Sequence, residues 1–178
     1  MKGQAAYYCE AFKTAREFEQ RSEKLYRDLI PKAKDKFARK TLTLLADEEH
    51  HHIKKIDEIN EALTTNPEDF NLVAQCQTEL PSRIEKHLKE VTKSKADKIR
   101  AQVSDIEIYD MAIDMEKAGY GIYKEHYQQS NDEKTRKFME FLIQEESIHY
   151  EILASTKKYL EDPSYYFEDY GGWIFGGA

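Results

Sequence analysis

The sequence predicts an all-α protein, an antiparallel four-helix bundle with one long crossover between the second and third helices. Three observations carry that expectation. Charged residues make up 34% of the 178-residue chain against only 7 glycines and 4 prolines, a balance that suits long solvated helices better than a loop-rich sheet protein. Four extended segments repeat apolar residues at helical spacing. The connections between them alternate short, long and short, which pairs the helices into two hairpins.

The first helix is expected from about Ala5 to Ile30, where Pro31 stops it. The second runs from about Asp35 to Leu63 and ends at "TTNPED". The third starts near Ser104, which has capping-box spacing to Glu107, and reaches about Gln128. The fourth follows "SNDE", where Ser130 and Glu133 repeat that spacing, and continues to Leu160. Residues 65–103 are too many for a turn, and "PSRIEKHLKEV" within them reads as a short helix on a crossover along the bundle. The domain expectation is therefore one bundle over residues 1–162 and an aromatic tail over 163–178. That tail, "PSYYFEDYGGWIFGGA" with its neighbours, holds too many rings to stay in water. It is expected to pack on the bundle or on a partner subunit, with a lid over the interior as the sharper reading.

A net charge of −7 without a basic stripe gives no reason to expect nucleic acid or anionic lipid as a partner. No apolar run approaches a bilayer span, and "MKGQAAYYCE" lacks the apolar core of a secretory signal, so the expected setting is cytoplasmic, with no membrane. Cys9 and Cys76 form no C-x-x-C pair, which excludes a thiolate zinc knuckle or a rubredoxin-type iron site within one chain.

The two predicted hairpins are internal repeats at an offset of 97 residues. Glu19 meets Glu116, Tyr26 meets Tyr123, Glu49 meets Glu146, and His52 meets His149, all without a gap. Helical phase at about 100° per residue then sorts inward residues from outward ones. Glu49 and His52 fall in the stripe of Leu42, Leu45, Ile53 and Ile56, whereas Glu48 and His51 point to its side. Glu146 and His149 fall among Met139, Leu142, Tyr150 and Leu153. Glu19 shares a face with Phe12, Ala15 and Tyr26, and Glu116 shares one with Tyr109, Ala112, Ile113, Tyr120 and Tyr123. His50 and His51 are expected to face solvent, and His87 and His126 to be ordinary surface residues.

Each helix thus carries a carboxylate on its core face, and a lone buried charge costs several kcal/mol, on the order of what real proteins show. No lysine or arginine shares those stripes at the same level, which leaves metal ions or protonation as compensation. Two divalent cations balance four carboxylates, with two neutral imidazoles completing the shells. The i, i+3 spacing of Glu-x-x-His stacks both donors on one face, so that they reach one ion. Glu49 and Glu146 are the expected bridges. Glu19 and His52 would be terminal on one ion and Glu116 and His149 on the other, or the terminal sets crossed. A pair of iron ions suits this mixed donor set, with manganese or zinc able to substitute. Tyr26 and Tyr123 either pack in the core or hydrogen-bond a ligand carboxylate.

On Glu19 with Tyr26, "EHHH" at Glu49–His52, Glu116 with Tyr123 and "ESIH" at Glu146–His149, the chain resembles the rubrerythrin and ferritin-like di-iron proteins, in particular stand-alone rubrerythrin-like domains. The likeness covers about residues 5–160. It implies a ferritin-like fold and a di-iron oxidoreductase that reduces hydrogen peroxide or dioxygen, with an external electron donor such as a rubredoxin-type protein and a homodimeric assembly. The chain departs from that pattern in lacking the C-terminal rubredoxin module and the further carboxylate on the third helix, where Ala112, Ile113, Gly119 and Tyr120 surround Glu116. The six-ligand set is closer to bacterioferritin-type sites, which keeps a ferroxidase or iron-binding role as the alternative, beside a metal-free helical scaffold.

Overall fold

The computed structural model describes residues 2–65 and 103–162, with side-chain surroundings for residues 11–63, 65 and 105–162. Four helices account for them: α1 (Lys2–Leu29), α2 (Lys36–Thr65), α3 (Val103–Gln129) and α4 (Glu133–Glu161). α1 packs chiefly on α2 and α3 on α4, and the two hairpins meet along α1–α3 and α2–α4. Every neighbouring pair is antiparallel.

The hairpin turns follow from local chemistry. Pro31 has no N–H to continue α1, and Lys32 and Ala33 instead close the helix by donating to the Leu29 carbonyl at 2.9 and 3.1 Å. Asp35 then opens α2, its Oδ1 accepting from the N–H groups of Phe37 and Ala38 at 2.7 and 2.9 Å. The second turn departs from the expected capping box. Asp132, not Ser130, is the N-cap of α4, its side chain accepting from the Thr135 N–H at 2.7 Å. The Ser130 hydroxyl accepts from the Asp132 N–H at 3.1 Å and so shapes the turn before the cap. Ser104 likewise lies just inside α3 rather than ahead of it.

The two hairpins are tied at one end by Asp105. It is buried near the start of α3, and its carboxylate accepts from the backbone N–H groups of Lys34 and Asp35 at 2.8 and 3.2 Å. The first residues of α3 therefore lie beside the α1–α2 turn, whereas α2 ends at the opposite end of the bundle. A chain leaving α2 must cover the bundle's length to enter α3, about 40 Å for helices of this size. That agrees with the expected crossover; its proposed short helix, Cys76, His87, the Cys9 side chain and the aromatic tail lie outside the described residues.

The apolar core is divided in two. One cluster takes Tyr26, Leu29, Leu42, Leu45, Tyr109, Ile113, Leu153 and Tyr159 from the Asp105 end. The other takes Phe12, Phe18, Ile56, Ile59, Tyr123, Phe138 and Leu142 from the far end. The layer between them is polar.

Replacing Asp105 with alanine leaves two backbone donors without their acceptor, at a cost of about 2 kcal/mol or more. Asp132→Ala removes one helix cap and costs about 1 kcal/mol. Urea unfolding of the two variants should give that order, with an unchanged slope.

Candidate metal centre

The polar layer is built from one inward carboxylate per helix. Glu19 comes from α1, Glu49 with His52 from α2, Glu116 from α3, and Glu146 with His149 from α4. All six are buried, none more than 4% exposed. The helical phase that selected them holds because each sits in a stripe whose next turns pack against the two apolar clusters.

Glu49 lies at the centre. Its Oε2 is 3.4 Å from His52 Nδ1 and its Oε1 is 3.1 Å from His149 Nδ1. His52 Nδ1 is also 3.2 Å from Glu19 Oε2, and His149 Nδ1 is 3.4 Å from Glu116 Oε2. Two donor groups with metal-ligating spacing result, Glu19–Glu49–His52 and Glu49–Glu116–His149, which share Glu49. These groups pair Glu19 with His52 and Glu116 with His149. The two imidazoles stack with centroids 5.3 Å apart and planes 16° from parallel. Glu146 belongs to neither group, but it lies close enough to Glu116, Glu19 and Glu49 to feel all three charges.

The residues fit a cation pair by what they leave unmet. Both oxygens of Glu49, Glu116 and Glu146 and both nitrogens of His149 are buried without a hydrogen-bond partner among the described residues. No lysine or arginine is buried with them in that described set. Hard carboxylate oxygens with imidazole nitrogens are donors for iron, manganese or zinc rather than for a soft ion.

Without a cation the cluster shares protons. Burial, and then the charge of Glu49, push Glu19 up to about 8. Burial followed by Glu116 and Glu19 raise Glu146 well above its ordinary range. Burial also raises Glu49, but the charge of His149 and the close approach of Glu19, His149 and His52 outweigh that and hold it low. Burial disfavours the charged form of His149, yet Glu116 and Glu49 lift it to about 10. His52 is raised in the same way, by the charge of Glu19 and by its close approach to Glu145, Glu19 and Glu49.

The two repeat-related tyrosines divide the alternatives between them. The Tyr123 hydroxyl donates to Glu19 Oε1 at 2.5 Å, across from α3 to α1. The Tyr26 hydroxyl has no hydrogen-bond partner among the described residues and its ring packs in the core. His50 and His51 are exposed as expected; His51 Nδ1 lies 2.6 Å from the Asp47 carbonyl and His50 lies 3.4 Å from Glu23. His126 is half-buried at the end of α3.

Three phase assignments are corrected. Glu48 is buried, not turned aside, and Tyr120 and Tyr150 are 37% and 39% exposed rather than inward. A four-residue step drifts by about 40° around a helix, so the margins of a stripe depend on what the neighbouring helix covers. Glu145, which sequence reasoning missed, is also buried, its Oε2 3.4 Å from His52 Nε2. The available signal was the repeat itself, since Glu48 and Glu145 stand at the same 97-residue offset as the six inward donors.

Tyr120 and Tyr150 instead flank a cavity of about 300 Å³ on the α3–α4 face, lined also by Lys117, Ser147, Glu151 and the buried Glu116 and Glu146. Lys117 Nζ stands 5.8 Å from the Tyr150 ring. The repeat-related positions on α1–α2 are Glu23, beside His50 and Arg27, and Ile53, which is buried. The repeat is therefore broken at the mouth of the site.

A family profile described as Rubrerythrin matches residues 10–157. The chain belongs to the rubrerythrin family. That span runs through all four helices and every residue of the polar layer, and the all-α, ferritin-like bundle is the fold the family leads one to expect. No curated protein and no solved structure matches the chain. Family membership and the buried Glu/His groups together support a carboxylate protein able to hold a metal pair. Among the described residues no helix is long and apolar enough to cross a membrane.

Gly119 makes room for this arrangement. A Cβ there would stand 2.7 Å from Glu146 Oε2 and 2.6 Å from Phe18 Cε1, closer than real contacts allow. Gly119→Ala should keep its helical circular dichroism but lose bound metal, measured by elemental analysis after dialysis, because Glu146 has to move. The metal-free protein should become less stable as pH rises from about 6 to about 9. Glu19 and His149 hold protons in the folded state that they lose when unfolded, above 4.5 and 6.5 respectively, and that advantage disappears through about 8 and about 10. Glu49 has the opposite sign, but its window lies below 4.5. Melting temperatures across that pH range test the slope, and saturating zinc should flatten it.

Proposed function

We propose that the chain is a di-iron oxidoreductase of the rubrerythrin type that reduces hydrogen peroxide, with Glu19, Glu49, His52, Glu116, Glu146 and His149 as its metal ligands. The observation that carries this reading is the concentration of unpaired buried carboxylates and imidazoles in one layer, without a buried lysine or arginine in the described residues to balance them. Held by these residues as ferrous ions, a metal pair would supply the two electrons that, with two protons, reduce hydrogen peroxide to two waters.

The protein's share is placement, charge and access. Glu49, with one oxygen toward each imidazole, would be the carboxylate shared by the two ions, with Glu146 beside it as a further ligand. Tyr123 holds a proton at Glu19 Oε1, which limits that carboxylate's freedom to swing and keeps a donor beside the site. The two apolar clusters seal the layer from both ends of the bundle. The cavity between Tyr120 and Tyr150 leaves one side open to a small neutral oxidant. Electrons to reset the metals come from a separate donor such as a rubredoxin-type protein, since the chain has no C-x-x-C pair of its own. The same reading has the protein work as a cytoplasmic homodimer.

Glu49→Ala should reduce the bound metal from two ions to one or none, counted by native mass spectrometry, and lower the melting temperature of the loaded protein. Retention of two tight ions would remove Glu49 from the ligand set. Stopped-flow mixing of anaerobically Fe(II)-loaded protein with limiting hydrogen peroxide or with dioxygen, followed by near-ultraviolet ferric absorbance, tests the oxidant. Faster oxidation by peroxide is expected; faster oxidation by dioxygen would instead indicate an oxidase or ferroxidase.

A further inference from the structure

Glu145 is a further buried acid beside four carboxylates that would already balance two divalent ions. It is 3% exposed, and it approaches His52 from the side opposite the proposed ligands. His52 presents Nδ1 to Glu19 and Glu49 at 3.2 and 3.4 Å and Nε2 to Glu145 Oε2 at 3.4 Å. The same carboxylate forms a donor group with both stacked imidazoles, its oxygen lying within 4.8 Å of a nitrogen on each.

We propose that Glu145 is a positioning residue for the metal centre, holding His52 in the tautomer whose Nδ1 faces the ions and steadying the His52–His149 stack. The inference rests on the metal-site reading and deepens it.

Ring geometry separates this role from that of a ligand. The two nitrogens of an imidazole point to opposite sides, so an ion on His52 Nδ1 between Glu19 and Glu49 lies out of reach of Glu145. A further cation on the Glu145 side would require His52 to bridge two ions and give up its ring proton. The ring instead keeps a proton on Nε2, where a buried carboxylate is the natural acceptor. Ligating histidines typically donate their outer N–H to such a group, which fixes the ring orientation and makes the ligating nitrogen more basic.

The test uses zinc as a redox-silent probe on the full chain. Affinity comes from competition with a chromophoric chelator, and tautomer state from imidazole ¹⁵N–¹H correlation spectra of the zinc-loaded protein. Wild type is expected to bind two zinc ions and show a His52 Nε2–H signal protected from exchange. Glu145→Leu should bind zinc about 10–100-fold more weakly and lose that protection. Glu145→Gln, whose amide oxygen still accepts, should retain both the stoichiometry and the protected signal, with only part of the affinity loss. If Glu145→Leu keeps wild-type affinity and the protected signal, the positioning role is wrong while the metal site stands. If Glu145→Gln loses a zinc ion outright, Glu145 is a ligand and the proposal is likewise overturned. Failure of the wild type to bind zinc would overturn the metal-site reading itself.

Discussion

Four carboxylates facing one another in the middle of a bundle impose the constraint on which the rest of this protein depends. Such a layer is unfavourable in a low-dielectric interior unless positive charge is brought to it. In the metal-free state that charge is protons, distributed unequally. Glu49 stays ionised between two imidazolium rings while Glu19 and Glu146 retain protons. A pair of divalent cations would replace those protons, so metal binding and deprotonation are linked through the same groups.

The architecture can be understood as the means of holding that layer against its cost. Each end of the bundle is an ordinary apolar core, with fully buried Leu42, Leu45 and Tyr109 on one side and Phe12, Phe138 and Met139 on the other. Those clusters supply the burial that stabilises the fold, and they also fix the helix register that brings the acids together. Small residues permit close approach at the layer: Ala15 and Ala112 are fully buried at repeat-related positions, and Gly119 leaves the space that Glu146 fills. Asp105, holding the α1–α2 turn against the start of α3, sets how the two hairpins register along their length.

The repeat is followed in the six inward donors and abandoned around them. Tyr123 reaches Glu19, whereas Tyr26 stays within the apolar cluster. The α3–α4 face opens into a cavity where the α1–α2 face has Ile53 buried and Glu23 engaged with His50 and Arg27. Symmetry in the inward donors gives two equivalent Glu/His groups around Glu49. The asymmetry sets a cavity beside Glu116 and Glu146 on the α3–α4 face, whereas the repeat-related positions on α1–α2 are taken by an ion-paired and a buried side chain.

The sequence by itself determined the four helices, their pairing into hairpins and the six inward donors. These follow from periodicity, from turn chemistry at Pro31 and Asp35, and from an internal offset that strikes the same residue types each time. All are one-dimensional signals, since a helix converts spacing directly into a face. Only the tertiary structure decided which of two equivalent tyrosines meets an inward carboxylate, that Glu48 and Glu145 are buried, and that Tyr120 and Tyr150 stand at the rim of a cavity. Those outcomes depend on which neighbouring helix covers the edge of a stripe and how closely it approaches, and spacing along one chain segment carries no information about the distance to another.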